Sequence, residues 1–198
     1  PVVFMFHGCS SPDNNVPMQT VTGDQAILMR GAGIESGTCW DASPDGKDVL
    51  FFDAMVAAVE AAHCVDKSRL FAAGYSSGSW LTNTLDCKRG DVLRAAGTVS
   101  GGTVNAQGCV GRVARTFVHD QDDTTNVIAG SITERDRLIG LNHCDAQAAT
   151  VPEDPSPCAR YQGCDAGYPV IWCQTSGKGH DRQDSLAATA FWKLFSEL

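Results

Sequence analysis

The chain has 198 residues, enough for one domain with a sizeable core, and 43% hydrophobic with 19% charged residues is the composition of an ordinary soluble protein. Its formal net charge of −8 argues against nucleic acid or an anionic membrane as a partner, because both attract basic patches. No apolar run is long enough to span a membrane. We therefore expect a monomeric single domain over residues 1–198 that binds neither.

Short β-rich runs alternate with helical patterns along the chain. Strands are predicted over residues 2–7, 26–30, 70–75, 95–100, 114–119 and 169–174. Helices are predicted over 48–63, over 77–87, from a Ser-Ile-Thr-Glu capping box at 131 to about 141, and from about 185 onward. Continuous apolar strands are typical of a parallel sheet buried on both faces, so this order predicts a doubly wound α/β fold. The segment 144–168 is predicted to be a long stapled loop.

The chain contains nine cysteines, and no C-x-x-C pair suggests a zinc or redox motif. Their spacing indicates a disulfide framework, which places the protein in an oxidising compartment outside the cell. An odd number leaves at least one cysteine free or paired outside the chain. Because an apolar strand begins at the second residue, we expect a segment upstream of Pro1 that could carry a tenth cysteine.

Two groups of cysteines have predicted pairings. Cys64 precedes the third strand and Cys87 ends the helix after it, so a rising strand and a descending helix should bring both to one sheet edge. This predicts a Cys64–Cys87 disulfide. The four cysteines around the long loop are expected to pair among themselves, with the connectivity open: Cys144, Cys158, Cys164 and Cys173.

The stretch Gly74-Tyr75-Ser76-Ser77-Gly78 lies between the third predicted strand and a helix. A strand-to-helix turn of this G-x-S-x-G type lifts a serine hydroxyl above the sheet edge, where it can act as a nucleophile. Ser77 is a rival candidate, but only Ser76 occupies the central position between the glycines. The pattern therefore predicts Ser76 as a catalytic nucleophile.

Partners for a serine nucleophile follow the later strands. Asp120, Asp122 and Asp123 come after the fifth strand, and His180 lies on a glycine-rich loop after the sixth. Strand carboxyl ends share one edge of a parallel sheet, so an acid and a histidine can meet Ser76 there. The order Ser, Asp, His is that of the α/β-hydrolases. The residues alone leave the choice among the three aspartates open.

An ester-cleaving serine also needs two donors for the oxyanion of its intermediate. The amide of Ser77, at the start of the departing helix, is one candidate. The turn after the first strand should supply the other, through the amide of Cys9. We expect no metal, because neither His63 nor His143 has ligands at a suitable spacing, and no cofactor, because the glycine-rich segment 30–37 lacks a dinucleotide fingerprint.

Aromatic residues near the strand ends are candidates for substrate contact. Tyr75 adjoins the nucleophile, and Trp40 and Trp172 could form an aromatic subsite or could simply pack in the core. Trp80, one turn into the helix after Ser76, is interpreted as a core residue. His7 and His119 are interpreted as structural residues that shape strand ends, and we do not consider them catalytic.

Four stretches, F-H-G-C, C-V-D-K-S-R-L-F-A-A-G-Y-S-S-G-S-W, H-D-Q-D-D-T-T and G-Y-P-V-I-W-C-Q-T-S-G-K-G-H, together resemble the secreted feruloyl esterase and polyhydroxybutyrate depolymerase-like esterases. The resemblance covers nearly the whole chain. It implies an H-G-x-x-D motif that assigns the catalytic acid to Asp123 and leaves Asp120 at a family glycine position. It also implies strands ahead of the oxyanion turn, which this chain lacks.

The resemblance implies a secreted serine esterase acting on hydroxycinnamoyl esters of plant cell-wall polysaccharide. A polyhydroxybutyrate or other short-chain polyester depolymerase and an acetylxylan esterase would use the same machinery, and both stay open. A peptidase is disfavoured because those on this fold usually carry an extra domain. An inactive hydrolase fold serving as a binding module is disfavoured by the intact Ser-Asp-His set.

Overall fold

The computed structural model describes residues 1–33, 39–104 and 107–198. Its strands are β1 (Val2–Phe6), β2 (Ile27–Arg30), β3 (Leu70–Tyr75), β4 (Ala95–Val99), β5 (Ala114–Asp120), β6 (Val151–Pro152), β7 (Cys158–Arg160) and β8 (Val170–Thr175). They form one eight-stranded sheet in the order β2-β1-β3-β4-β5-β8-β7-β6. The first six strands in this order, from β2 to β8, pair in parallel. The last two, β7 and β6, extend the sheet beyond β8 in antiparallel pairing.

Helices cover both faces of this sheet. They are α1 (Gln19–Thr22), α2 (Lys47–Ala62), α3 (Ser77–Lys88), α4 (Ile128–Leu141) and α5 (Asp184–Glu197). One apolar cluster joins α2, α3 and α4 to one face, where Phe4 and Phe6 point. A second joins α5 to the opposite face, where Val3 and Met5 point. The alternation along β1 thus gives each face its own core, and the predicted α/β-hydrolase fold is confirmed.

The start of α4 differs from the prediction. The helix begins at Ile128, so the Ser-Ile-Thr-Glu segment is not its capping box. The Ser131 hydroxyl contacts His119 Nδ1 at 2.7 Å, and the Glu134 carboxylate accepts the Val104 amide at 2.9 Å. Both side chains make long-range contacts, which a pattern of local spacing does not reveal.

The segment 144–168 is more ordered than a stapled loop. It contributes β6 and β7, and Cys158–Arg160 pairs with Ile171–Cys173 of β8. Its cysteines pair among themselves as predicted, in the bonds Cys144–Cys164 and Cys158–Cys173.

The predicted Cys64–Cys87 bond is wrong. Cys87 pairs with Cys109, and Cys64 is free and exposed. The lengths of the strand and the helix place both cysteines at the same edge of the sheet. They do not determine which cysteines are neighbours along that edge. A fourth disulfide, Cys9–Cys39, crosses from the turn after β1 to the segment carrying Trp40.

Within residues 1–33, 39–104 and 107–198, no helix is both long enough and apolar enough to cross a bilayer. Of the predicted strand-end loop at 30–37, residues 34–37 lie outside the described residues.

Candidate active site

Ser76 occupies a sharp turn between β3 and α3. Its backbone, at φ 51° and ψ −115°, lies outside the ordinary regions for a side-chain-bearing residue, as expected for a serine held on a strained elbow. The flanking glycines permit the turn, because a β-carbon on Gly74 would overlap the Gly78 carbonyl and one on Gly78 would overlap the Phe6 carbonyl. The Ser79 hydroxyl contacts the Gly74 and Val99 carbonyls at 2.8 Å each, which ties the elbow to β4.

The structure brings a histidine and a carboxylate to this serine. His180 Nε2 lies 2.9 Å from Ser76 Oγ, and His180 Nδ1 lies 2.8 Å from Asp123 Oδ2. Ser76 is 9% exposed and Asp123 only 3%. Of Asp120, which ends β5, and Asp122 and Asp123, which follow it, Asp123 is therefore the one whose carboxylate contacts the imidazole.

Asp123 is held in the ionised form. Burial alone would raise its pKa, but hydrogen bonds from His180 and from the Asn126 and Thr125 amides outweigh burial, so the pKa is lowered. Both amides donate to Oδ1 at 2.9 Å, which leaves Oδ2 for the imidazole. Asp123 thus presents a fixed negative charge to His180.

His119 contacts the loop that carries Asp123. It is fully buried, and its ring contacts Ser131 Oγ at 2.7 Å and the Asn126 carbonyl at 2.8 Å. Burial lowers the pKa of His119, which favours a neutral ring. This placement corresponds to the structural role expected for it.

Asp120 and Asp122 hold the loop that carries His180. The fully buried Asp120 carboxylate accepts the Thr175 hydroxyl at 2.8 Å and the Lys178 and Gly179 amides at 3.1 Å each. It also accepts the Asp122 amide at 2.9 Å, and the Asp122 carboxylate accepts the Gly177 amide at 2.7 Å. Burial opposes ionisation of Asp120, yet these hydrogen bonds leave its pKa lowered. Sequence reasoning missed this role, because nothing in the pattern links residue 120 to a loop nearly 60 positions later.

The oxyanion candidates lie beside the serine. The Cys9–Cys39 bond fixes the turn after β1, and the Trp40 amide donates to Ser77 Oγ at 2.8 Å. In the described part of the chain, the backbone amides of Cys9 and Ser77 make no hydrogen bond to a protein acceptor. Both amides are thus available to a substrate oxygen.

A cavity of about 330 Å³ opens over Ser76. Its lining residues are Cys9, Trp40, Ala42, Ser76, Ser77, Trp80, Thr125 and Asn126. Trp40 is held as a wall by its Nε1, which donates to the His7 carbonyl at 2.9 Å. Trp80, interpreted from sequence as core, is the second aromatic wall, and its position one turn after Ser76 was the signal that could have found it.

Trp172 does not belong to this cavity. Its ring packs against Phe117, with centroids 6.1 Å apart, and beneath the Arg135 guanidinium at 4.9 Å. The sequence could not distinguish a Trp172 packed in this way from one that lines a substrate subsite, because a tryptophan in either role would lie near a strand end.

Tyr75 lies on the other side of the histidine. It lines a second cavity with His180, and its hydroxyl donates to the His180 carbonyl at 3.4 Å. Burial raises the pKa of Tyr75, so the phenol stays protonated.

Together these groups can carry out acyl transfer. A hydroxyl bonded to an imidazole that is itself bonded to a carboxylate can be deprotonated as it attacks a carbonyl carbon. Two unpaired amides and a partly aromatic cavity lie next to it.

No protein-family model matches the chain, but curated relatives and solved structures do. The chain is 33% identical to a probable feruloyl esterase C of Aspergillus niger over 86% of its own length, and spans 64% of that protein. It is 30% identical to a probable feruloyl esterase C of Aspergillus flavus, covering 90% of this chain and 67% of the relative.

Among solved structures, the acetyl xylan esterase from Aspergillus awamori superposes with a TM-score of 0.77 at 18% identity, covering 98% of this chain and 88% of that one. This likeness shows the fold. The chain spans a little under two thirds of the length of its first curated relatives, 64% and 63%. The chain belongs to the feruloyl esterase family of α/β-hydrolases.

Proposed function

We propose that this chain is the catalytic domain, over residues 1–198, of a secreted serine esterase that hydrolyses feruloyl esters of plant polysaccharide. Ser76 Oγ attacks the ester carbonyl while His180 Nε2 takes its proton. The amides of Cys9 and Ser77 receive the negative charge that develops on the carbonyl oxygen. Asp123 orients the imidazole and stabilises its protonated form.

Collapse of the tetrahedral intermediate breaks the bond to the alcohol, whose oxygen takes the proton from His180 Nε2. The acyl group stays on Ser76 as an ester. A water molecule, deprotonated by the same nitrogen, then attacks this acyl-enzyme and releases the carboxylic acid.

One observation carries the proposal: the 2.9 Å and 2.8 Å contacts that align Ser76, His180 and Asp123 at the mouth of a cavity walled by Trp40 and Trp80. A flat aromatic acyl group suits two indole walls, since aromatic pairs add about 0.5–1.5 kcal/mol beyond area burial. The names of the curated relatives support the same acyl group. The four disulfides support a location outside the cell.

An acetylxylan esterase is the second candidate, because the structural neighbour from Aspergillus awamori has that activity by name. Acetyl groups would leave most of the 330 Å³ cavity unfilled. We therefore rank it below a feruloyl esterase.

The test is a panel of methyl ferulate, an aryl acetate and polyhydroxybutyrate. We expect methyl ferulate to give the highest kcat/KM, and Ser76→Ala or His180→Ala to lower kcat by several orders of magnitude, about 10⁴-fold or more, because the three residues act as a unit.

The circular dichroism spectrum and Tm of both variants should match the unmodified protein, which separates lost chemistry from lost folding. Higher kcat/KM on the aryl acetate or on the polyester would reassign the acyl group. Full activity of Ser76→Ala would overturn the mechanism.

A further inference from the structure

The oxyanion turn and the histidine loop follow strands that are not neighbours in the sheet. The turn after β1 carries the Cys9 amide, and the loop after β8 carries His180. Three strands, β3, β4 and β5, lie between β1 and β8. Since neighbouring strands are about 4.8 Å apart, the ends of β1 and β8 are separated by roughly 19 Å. Strand pairing therefore does not by itself fix the oxyanion donor relative to the base.

Asn14 forms hydrogen bonds with both of these segments. Its backbone carbonyl accepts the amide of Gly8, the residue before Cys9, at 3.1 Å. Its side-chain Oδ1 accepts a hydrogen bond from Arg182 Nη1 at 2.9 Å. Arg182 follows His180 by two positions in the chain. Asn14 thus ties the turn that carries the oxyanion donor to the loop that carries the base.

Arg182 is itself anchored to a helix. Its Nε and Nη2 pair with the two carboxylate oxygens of Asp184, which lies in the first turn of α5. A bidentate pair of this kind fixes the plane of the guanidinium. The direction in which Nη1 points, toward Asn14, is therefore determined by α5.

Tyr75 lies between the two segments. A β-carbon on Gly8 would come within 2.6 Å of the Tyr75 ring, so the backbone of the turn rests directly on that ring. The same ring lies against the His180 imidazole, with centroids 5.5 Å apart. The contacts thus run from Gly8 through Asn14 to Arg182, along the chain to His180, and back through Tyr75 to Gly8.

We propose that Asn14 and Arg182 are positioning residues that clamp the oxyanion turn to the histidine loop, so that the Cys9 amide and His180 Nε2 act on the same ester. The inference rests on the proposed function for its chemistry, but it does not depend on which acyl group or alcohol is preferred. Acylation and deacylation both pass through an oxyanion and use the same base, so both steps should depend on the clamp.

The test follows hydrolysis of 4-nitrophenyl acetate by stopped-flow absorbance. The burst of nitrophenolate measures acylation and counts the active sites, and the steady phase measures deacylation. We expect Asn14→Ala and Arg182→Ala each to slow both steps about tenfold, because a displaced donor or base costs rate in either step. Both residues line the cavity beside His180, but during deacylation the alcohol has already left and cannot contact them. A slower deacylation therefore reports positioning.

The double variant distinguishes a clamp from two independent effects. If Asn14 and Arg182 act through the bond between them, the double variant should be about tenfold slower than the unmodified protein, like either single variant. Independent effects would instead multiply to about 100-fold.

Arg89→Ala is the matched control. The Arg89 guanidinium also forms a bidentate pair with a carboxylate, that of Asp53, and its Nη1 also donates to a neutral oxygen, the Lys88 carbonyl. It lines neither cavity at Ser76. Its replacement should leave acylation and deacylation unchanged.

Hydrogen–deuterium exchange tests the clamp without a substrate. In Arg182→Ala, the peptide that contains Gly8 and Asn14 should exchange about tenfold faster, because the turn has lost its link to α5. In Arg89→Ala the exchange of this peptide should be unchanged.

Unchanged deacylation in both single variants, a double variant slowed by the product of the single effects, or an equal loss in Arg89→Ala would overturn the proposal. If the protein cleaves no ester, the proposed function fails, and the exchange measurement alone then upholds or overturns the clamp.

Discussion

At the scale of single residues, the three aspartates at and just after the end of β5, Asp120, Asp122 and Asp123, make different contacts. Asp123 contacts His180. The Asp120 carboxylate accepts four hydrogen bonds, and three of them come from the segment that leads to His180. Asp122 is exposed and accepts one amide of that loop. A substitution at each position should therefore have its own effect on turnover.

We predict that Asp123→Asn lowers kcat most and that Asp122→Asn changes it little. Asp120→Asn should lower kcat by about 10- to 100-fold, because its new NH₂ group would face donors and shift His180 by a fraction of an ångström. KM should stay within about twofold of its original value, since Asp120 lines neither cavity at Ser76.

Steady-state kinetics on methyl ferulate measures all three variants. Equal and small effects at Asp120 and Asp122 would contradict the role of Asp120 in holding the loop that carries His180.

The two indoles at the first cavity should determine acyl preference. Trp80→Ala should lower kcat/KM on methyl ferulate by about tenfold, as the loss of roughly 1 kcal/mol or more of ring contact predicts, and much less on an aryl acetate. Trp40→Ala should act in the same way and should also loosen the turn after β1, because it removes the hydrogen bond to the His7 carbonyl.

Trp172→Ala is the control, because its indole is about as buried as that of Trp40, 8% against 6% exposed, and lies outside the cavity. It should lower stability without changing the ratio between the two esters. A selective ferulate loss in Trp172→Ala, with none in Trp80→Ala, would show that the acyl group binds elsewhere.

At the scale of elements, a buried charge network joins α3 and α4 to the sheet. Arg115 of β5, fully buried, lies 3.0 Å from Asp86, which also pairs with Arg137. Arg137 in turn donates to Glu134 at 2.9 Å. Since α3 begins at the Ser76 turn and α4 follows the Asp123 loop, this network holds two elements of the site against one strand.

We predict that Asp86→Ala lowers the free energy of unfolding by about 3–5 kcal/mol, because it removes the carboxylate that pairs with the buried Arg115 and leaves Arg137 with Glu134 alone. Asp53→Ala, which breaks the partly exposed Arg89–Asp53 pair at 2.7 Å, is the matched control and should cost less than about 1 kcal/mol. Urea unfolding of both variants measures the difference. Equal losses of unfolding free energy would show that breaking the buried pairs costs no more than breaking a partly exposed pair.

At the scale of the whole molecule, four disulfides cross-link the described part of the chain. The bonds are Cys9–Cys39, Cys87–Cys109, Cys144–Cys164 and Cys158–Cys173. The first joins the turn after β1 to the segment that carries Trp40, a wall of the cavity over Ser76, and the last joins the paired strands β7 and β8.

We predict that one thiol per chain, that of Cys64, reacts with iodoacetamide in the folded protein without reductant. Its exposure makes it accessible, whereas the other eight cysteines are oxidised. Peptide mapping without reduction identifies the labelled residue and the four linked pairs. Label on Cys109, or a peptide joining Cys64 to Cys87, would contradict this connectivity.

The sequence by itself determined the parallel sheet and its six main strands, and it predicted that Ser76, His180 and one of three aspartates would meet at the sheet edge. Apolar runs, glycines and strand-end loops are local features, and the order of strands then brings their carboxyl ends to one edge. The resemblance to a family narrowed three aspartates to one. All of these depend on residues close to one another in the chain or on a shared edge.

Only the tertiary structure decided which side chains of neighbouring helices, strands and loops contact one another. It paired Cys87 with Cys109, turned Trp80 toward the serine and Trp172 toward Arg135, and placed the Asp120 carboxylate under the His180 loop. Such contacts depend on the directions in which side chains leave packed helices and strands. Residue spacing along the chain does not encode these directions, because they arise only when the elements pack together.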